Sequence, residues 1–81
     1  MKRIIWTVPA RADVRRLDKP TAMRVLTTLD RFSKTGEGDL KLLKGRGTFR
    51  LRIGDCLLLF YVSVVSDTID TIEVLRVLRR P

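Results

Sequence analysis

A strict alternation of residue types near the middle of the chain constrains the fold more than any other feature. Residues 49–53 read FRLRI, so a β-strand there places Arg50 and Arg52 on one face and the apolar side chains on the other. The dipeptide Gly54-Asp55 suits a tight reversal, and residues 56–65 are apolar apart from one serine. The segment therefore predicts a β-hairpin, in which an arginine-bearing strand is followed by a central strand buried on both faces.

The rest of the chain predicts the elements that accompany this hairpin. β-branched residues indicate strands, and apolar residues that recur at helical spacing indicate helices. In chain order the predicted elements are a strand at 2–8 that Pro9 stops, a helix at 10–17, a second helix from Pro20 or Thr21 until residues 35–38 end it, the central hairpin, and a strand at 71–78. The outward arginines of the two helices are interpreted as solvated surface.

These elements predict an α+β fold with the order β-α-α-β-β-β. A two-helix hairpin would pack on one face of a small, mostly antiparallel four-stranded sheet. The other face would remain open, and Arg50 and Arg52 would occupy it. Residues 1–81 are expected to form a single domain, because 81 residues suffice for one small core and no internal repeat is visible.

The charge of the chain indicates the chemistry of its partners. Seventeen Lys and Arg against nine Asp and Glu give a formal net charge of +8. RNA, DNA or an acidic protein segment would complement that charge, while evenly spread charge that only maintains solubility is the alternative. Between Lys41 and Arg52 the chain has five basic residues and no acidic one. This clustering favours a binding surface.

Two compositional absences exclude several classes of enzyme. The chain has no histidine and one cysteine, Cys56. Cysteine nucleophiles, serine triads and the usual metal clusters rely on histidine, so neither these nor a metal or cofactor is expected. A lone cysteine in an apolar strand fits a reducing cytoplasm. Neither a signal peptide nor a membrane anchor is visible, and no membrane contact is expected.

Three blocks of sequence, taken together with Trp6 in the first strand, resemble the RelE/ParE superfamily of bacterial toxins. They are LKGRGTFRLRIGD at 43–55, LLFYV at 58–62 and IEVLRVLRR at 72–80. The resemblance covers essentially the whole chain. It implies a RelE-like fold, and it implies the toxin of a type II toxin-antitoxin module, neutralised by a cognate antitoxin. Its RelE branch cuts mRNA in the ribosomal A site, whereas its ParE branch poisons DNA gyrase.

The resemblance also implies roles for particular residues. Arg50 and Arg52 match a basic pair that RelE-like enzymes place against the scissile phosphate. Arg80 matches an arginine that stabilises the transition state. The basic residues expected to bind RNA are Lys44, Arg46, Arg76 and Arg79.

The chain departs from the family pattern at three places, and two hypotheses remain open. Leu57 replaces the usual third-strand arginine, Arg79 stands where a histidine is frequent, and the chain reaches Pro81 without the downstream tyrosine. Lys44 and Tyr61 remain as titratable candidates near the site. Tyr61 alternates with Leu57 and Leu59, which favours a packing role for it, and Lys44 fits a solvated lysine as well as one that approaches a phosphate. The first hypothesis is a metal-independent, ribosome-dependent mRNA endonuclease that inhibits translation. The second is a non-enzymatic gyrase inhibitor, or a toxin with impaired nuclease activity.

Overall fold

Within the part of the chain that the structure describes, two helices pack on one face of a five-stranded sheet. The computed structural model describes residues 2–43 and 47–80. Its elements are β1 (Arg3–Trp6), α1 (Val8–Arg15), α2 (Lys19–Thr35), β2 (Asp39–Leu42), β3 (Thr48–Ile53), β4 (Cys56–Val65) and β5 (Thr68–Arg79). The strand order is β1-β5-β4-β3-β2, with β1 parallel to β5 and the other neighbours antiparallel.

The predicted α+β class and the β3–β4 hairpin are confirmed, but the sheet has one strand more than the four predicted. The extra strand is β2, which pairs with β3 from Asp39 opposite Arg52 to Leu42 opposite Phe49. All four of its residues are exposed. An edge strand of this length carries too short an alternation to be recognised in the sequence, and its pairing with β3 is what defines it.

Side-chain caps begin both helices. The hydroxyl of Thr7 accepts a hydrogen bond from the N–H of Ala10 at 3.3 Å, and the carboxylate of Asp18 accepts one from the N–H of Thr21 at 3.2 Å. Helix α2 ends at Gly36, which has a φ of 74° and is therefore in the left-handed region that favours glycine. Neither helix is long and apolar enough to cross a membrane.

The core lies between the helices and one face of the sheet. Phe60 of β4 is fully buried there, with its ring 5.5 Å from that of Phe32 and 5.6 Å from that of Phe49. The buried apolar residues are Ala10, Val25, Leu29, Phe32, Leu51, Ile53, Cys56, Leu58, Phe60, Ile72, Val74 and Val77. They come from both helices and from β3, β4 and β5.

Strand β4 is central in the sheet, but it is not buried on both faces as predicted. Its residues alternate, so that Leu58 and Phe60 are buried against the helices while Leu57 and Leu59 on the other face are half-buried and Tyr61 is exposed. An apolar run predicts burial on two sides only where a second layer covers the sheet. The open face instead presents an apolar centre.

Helix α1 and its N-cap residue form hydrogen bonds with β5 where the short strand β1 ends and beyond that point. Strand β1 pairs with only part of β5, which leaves backbone groups of β5 without a neighbouring strand. The hydroxyl of Thr7 is within hydrogen-bonding distance of the carbonyls of Val74 and Leu75, at 2.9 and 3.0 Å, and the N–H of Val77 donates to the carboxylate of Asp13 at 2.9 Å. The start of α1 therefore satisfies the edge of β5 and fixes the end of that strand.

Candidate functional site

The open face of the sheet carries the arginine pair that the sequence predicts there. Arg50 and Arg52 of β3 lie opposite Leu59 and Leu57 of β4, the half-buried leucines of that face. Residues two apart on a strand point to the same side. The two guanidiniums therefore stand beside an apolar strip.

Arg50 lies between a cation and an apolar neighbour. On its β2 side the opposite residue is Lys41, and on its β4 side it is Leu59. The Nε of Arg50 is buried, and it has no hydrogen-bond partner in the described chain. A buried donor without an acceptor is costly, and like charges placed directly opposite repel. An anion bound beside the guanidinium of Arg50 would offset the repulsion between the two cations.

Arg52 is exposed at the end of the same strand. Its Nε donates to the carbonyl of Gly54 at 3.5 Å, which turns the side chain towards the β3–β4 reversal. Asp39 lies opposite Arg52 in the register, but the two form no salt bridge in the structure as described. The charge of Arg52 is therefore available at the rim of the sheet.

Arg80 reaches this face from the end of the chain. Its N–H donates to the carbonyl of Asp55 at 2.8 Å, and strand alternation puts its side chain on the same face as Leu78. Leu78 lies opposite Leu57, which in turn lies opposite Arg52. Two strand spacings, about 10 Å, therefore separate the β3 and β5 backbones. By this alternation the three arginines predicted for catalysis share one face, and Leu57 lies between Arg52 and Leu78.

Arg76 and Arg79, predicted to bind RNA, are both paired with acids. Arg76 donates from Nε and Nη2 to the two carboxylate oxygens of Asp13, at 2.7 and 3.0 Å. Arg79 donates from Nε to Asp55 at 3.2 Å and approaches Asp18 at 3.5 Å through Nη1. These contacts join the end of β5 to both helices and to the β3–β4 turn. The charges of the two arginines are thus partly neutralised within the protein.

The Asp13–Arg76 pair changes the ionisation of both partners. The guanidinium of Arg76 lowers the pKa of the Asp13 carboxyl, and the N–H of Val77 adds to this effect against the opposing effect of burial. The same hydrogen bonds raise the pKa of Arg76. A carboxylate with this many donors is strongly favoured in its charged form.

The remaining candidates divide into those that the structure places and those outside its described range. Lys44 and Arg46 lie outside the described residues. Tyr61 is 41% exposed on the open face, although the sequence favours a packing role for it. Cys56 is fully buried, and burial raises the pKa of its thiol, which disfavours the nucleophilic thiolate. Over residues 2–43 and 47–80 no group of His, Cys, Asp or Glu side chains could hold a metal ion.

Two features of the structure were not predicted from the sequence. Asp13 looks like an ordinary surface acid of a helix, yet it is buried and holds β5. Arg24 and Arg31 look like solvated helix charges, yet they line a groove together with Arg52. The seven-residue spacing of Arg24 and Arg31, which puts both on one side of a helix, is the signal that could have revealed the second feature.

Comparisons with known proteins agree on the fold. Similar solved structures include the YoeB/ParE toxin from Agrobacterium tumefaciens, with 19% identity, 98% of this chain and 99% of that chain covered, and a TM-score of 0.76. The RelBE2 toxin-antitoxin complex from Mycobacterium tuberculosis has 27% identity, 98% of each chain covered and a TM-score of 0.74. The archaeal RelE-RelB complex from Pyrococcus horikoshii OT3 has 22% identity, 98% of this chain and 94% of that chain covered, and a TM-score of 0.78.

The family itself follows from a comparison of sequence. Among curated proteins none matches the chain. A family model described as the ParE toxin of the type II toxin-antitoxin system, parDE, matches residues 4–80. This match and the shared fold confirm the resemblance to the RelE/ParE superfamily. The chain therefore belongs to the ParE toxin family and is the toxin component of a type II toxin-antitoxin system.

Proposed function

We propose that this toxin inhibits translation by cleaving mRNA on the ribosome, with Arg50, Arg52 and Arg80 acting on the phosphate at the cut. The observation that carries the proposal is the pair on β3. Arg50 has a buried Nε without an acceptor, and Arg52 has no acidic partner, in the described parts of the chain. Two guanidiniums on one exposed sheet face suit a phosphate whose negative charge grows during reaction.

The proposed chemistry assigns electrostatic stabilisation to the arginines. In metal-free RNA cleavage a base removes the proton of the 2′-hydroxyl, the oxygen attacks phosphorus, and an acid protonates the 5′-oxygen as it leaves. Arginine stabilises the negative charge that develops on the phosphate, and each such donor accelerates the reaction by about 10²–10³-fold. Arginine is, however, a poor base. Tyr61 and Glu73 lie opposite each other on this face, and both are exposed titratable side chains. The ribosome would position the substrate and complete the proton transfers.

We also infer a cognate antitoxin as the partner. Two of the similar structures described above are complexes of a toxin with its antitoxin. The formal net charge of +8 would be complemented by an acidic segment of the antitoxin. Proteins of this kind act on targets in the cytoplasm, which is the location proposed for this chain.

Gyrase inhibition without catalysis is the second candidate, and particular observations favour it. The matching family model is that of ParE toxins. Leu57 occupies the centre of the open face, and Leu78 and Tyr61 on the same face are 37% and 41% exposed. Exposed apolar side chains beside arginines are typical of a protein interface.

Induction of the toxin without antitoxin separates the two candidates. We expect protein synthesis to stop before DNA synthesis and new 5′ ends to accumulate within translated codons. Replacement of Arg50 and Arg52 by glutamine should abolish this effect, since it removes both phosphate donors and leaves the core residues unchanged. The matched control replaces Arg11 and Arg15, two exposed arginines of α1, by glutamine and should leave cells poisoned.

The opposite results would decide against the nuclease. Early arrest of DNA synthesis, trapped gyrase complexes and intact mRNA would establish the second candidate. If the Arg50 and Arg52 variant and the Arg11 and Arg15 variant are both folded and equally toxic, Arg50 and Arg52 do not belong to the site.

A further inference from the structure

A basic groove lies between α2 and the end of β3, around the rim from the open sheet face. It encloses about 550 Å³. Three arginines line it, Arg24 and Arg31 from α2 and Arg52 from β3, together with the hydroxyl-bearing residues Thr27 and Thr28. All three arginines are exposed. The groove is thus an accessible surface that is rich in hydrogen-bond donors.

The geometry of α2 places two of the arginines in a row. Arg24 and Arg31 are seven residues apart, which corresponds to two helical turns and about 10.5 Å of rise. The opposite side of α2 buries Val25, Leu29 and Phe32 in the core. The helix is therefore held by its apolar side while its arginines face the groove at a set spacing.

The β3–β4 turn holds two of the guanidiniums close to one glycine. A Cβ atom on Gly54 would lie 3.0 Å from an Nη atom of Arg24, so this guanidinium lies directly against the turn. Arg52 donates from Nε to the carbonyl of Gly54 at 3.5 Å. The positive charges of Arg24, on α2, and Arg52, on β3, therefore both lie close to Gly54.

Within residues 2–43 and 47–80, no acid forms a salt bridge with the arginines of the groove. Asp55 pairs with Arg79, and Asp30 pairs with Lys34 at 3.1 Å. Asp39, opposite Arg52 in the register, makes no salt bridge within the described residues. The three guanidiniums of the groove form no salt bridge among the described residues, so they repel one another, and a bound anion would offset that repulsion.

We propose that this groove binds backbone phosphates of a single-stranded RNA that continues from Arg50 around the sheet edge. The inference rests on the proposed function, since it extends the RNA beyond the phosphate at Arg50. Arg52 belongs both to the open face and to the groove and connects the two. A basic groove that follows the backbone is the usual way of holding a single strand without reading its sequence.

The lining of the groove favours RNA over an acidic peptide helix. A helix docks through apolar anchors at one-turn intervals. Among the described lining residues Met23 is the large apolar side chain that is well exposed, at 53%. The arginine forks and the threonine hydroxyls instead offer the donors that phosphate oxygens accept.

The test measures how salt weakens binding of a short fluorescein-labelled single-stranded RNA to the isolated toxin. Replacement of Arg24 and Arg31 by glutamine should lower the slope of log K against log salt by about 1.4, because each lost phosphate contact contributes about 0.7. The control with Arg11 and Arg15 replaced by glutamine should keep the original slope. Replacement of Arg24 and Arg31 by lysine should keep most of the original slope, because lysine retains the positive charge although it lacks the forked donors of the guanidinium.

Other outcomes would overturn the proposal. Equal salt slopes for the two glutamine variants would show that RNA is held only by the diffuse positive charge of the protein. Failure of the toxin to bind this RNA would show that single-stranded RNA is not the ligand. If the Arg24 and Arg31 variant lost binding of poly-glutamate but not of RNA, the groove would belong to an acidic protein. Because the assay needs no ribosome, it is independent of the induction experiment. If mRNA stays intact on induction while the Arg24 and Arg31 variant has a lower salt slope, the nuclease proposal is wrong and the groove proposal stands. If mRNA is cleaved while the salt slopes of all variants are equal, the nuclease proposal stands and the groove proposal is wrong.

Discussion

Asp13 shows how one buried carboxylate connects distant parts of this chain. It lies on α1, yet it accepts hydrogen bonds from the side chain of Arg76 and from the N–H of Val77 on β5. Its side chain is 6% exposed, whereas that of Arg76 is 45% exposed. The stabilisation that it provides therefore comes more from hydrogen bonds at a dry carboxylate than from the partly screened ion pair.

Asp13→Asn should lower the free energy of unfolding by about 2 kcal/mol, because charge-assisted hydrogen bonds are replaced by weaker ones and one donor of Arg76 meets an amide nitrogen. Urea unfolding measures the change. Asp30→Asn is the matched control, since the Asp30–Lys34 pair is exposed on both sides and its loss should cost less than about 0.5 kcal/mol. Equal losses in the two variants would contradict the structural role of Asp13.

The same residue should make the protein sensitive to acid. Hydrogen bonds from Arg76 lower the pKa of Asp13 in the folded state below its ordinary value of 3.8. Its stabilisation is therefore complete above the unfolded pKa and is lost as the pH falls through the folded pKa. The stability difference between the wild type and Asp13→Asn should be constant above about pH 5 and shrink in more acid solution. A difference that stays constant into acid would contradict this.

At the scale of elements, the crossing from α2 to β2 depends on a close approach at Gly38. A Cβ atom there would lie 2.7 Å from Cδ1 of Leu51, a fully buried residue of β3, and 3.6 Å from the ring of Phe32. Packed interiors accommodate added atoms poorly. The absence of a side chain at Gly38 is what lets the edge strand start against the core.

Gly38→Ala should therefore destabilise the fold by about 1–3 kcal/mol through overpacking. The comparison is Gly36→Ala, where nothing lies within 4 Å and the cost comes from the left-handed backbone, about 1–2 kcal/mol. The two costs are told apart by adding Leu51→Val, which frees space at Gly38 and should reduce the penalty of Gly38→Ala but not that of Gly36→Ala. If the losses of unfolding free energy from the single replacements simply add in both double variants, the contact with Leu51 is not the cause of the cost at Gly38.

At the scale of the whole molecule, the charge and the open sheet face determine how an antitoxin should act. A chain of 81 residues with a net charge of +8 has a small core and repels itself. One face of its sheet has no helix packed against it in the described structure, and it carries both arginines and leucines. An acidic segment that covers this face would relieve the repulsion and bury apolar surface.

Addition of the cognate antitoxin should raise thermal stability, by about 2.7 kcal/mol when its free concentration is 100 times the dissociation constant. Calorimetry measures the increase. The affinity should fall as salt is added, because exposed charge pairs are screened. Replacement of Arg50 and Arg52 by glutamine should weaken binding more than replacement of Arg11 and Arg15. A complex that is insensitive to salt and to these replacements would place the antitoxin elsewhere.

Local patterns in the sequence predicted the parts of the structure that local interactions control. The FRLRI alternation at residues 49–53 set the faces of β3, Gly54 marked the reversal, and Pro20 marked the first turn of α2. Each of these depends on residues within a few positions of one another, so the pattern is visible without the fold. The shared face of Arg50 and Arg52 follows from the same period of two.

Tertiary structure alone decided what depends on distant partners. Strand β2 exists through its pairing with β3, and Asp13 acquires its role from Arg76, which lies 63 residues away. The groove needs Arg24 of α2 and Arg52 of β3 to meet over one turn. A surface acid or arginine has the same local pattern whether it faces water or a partner, so only the packing of helices against the sheet distinguishes the two.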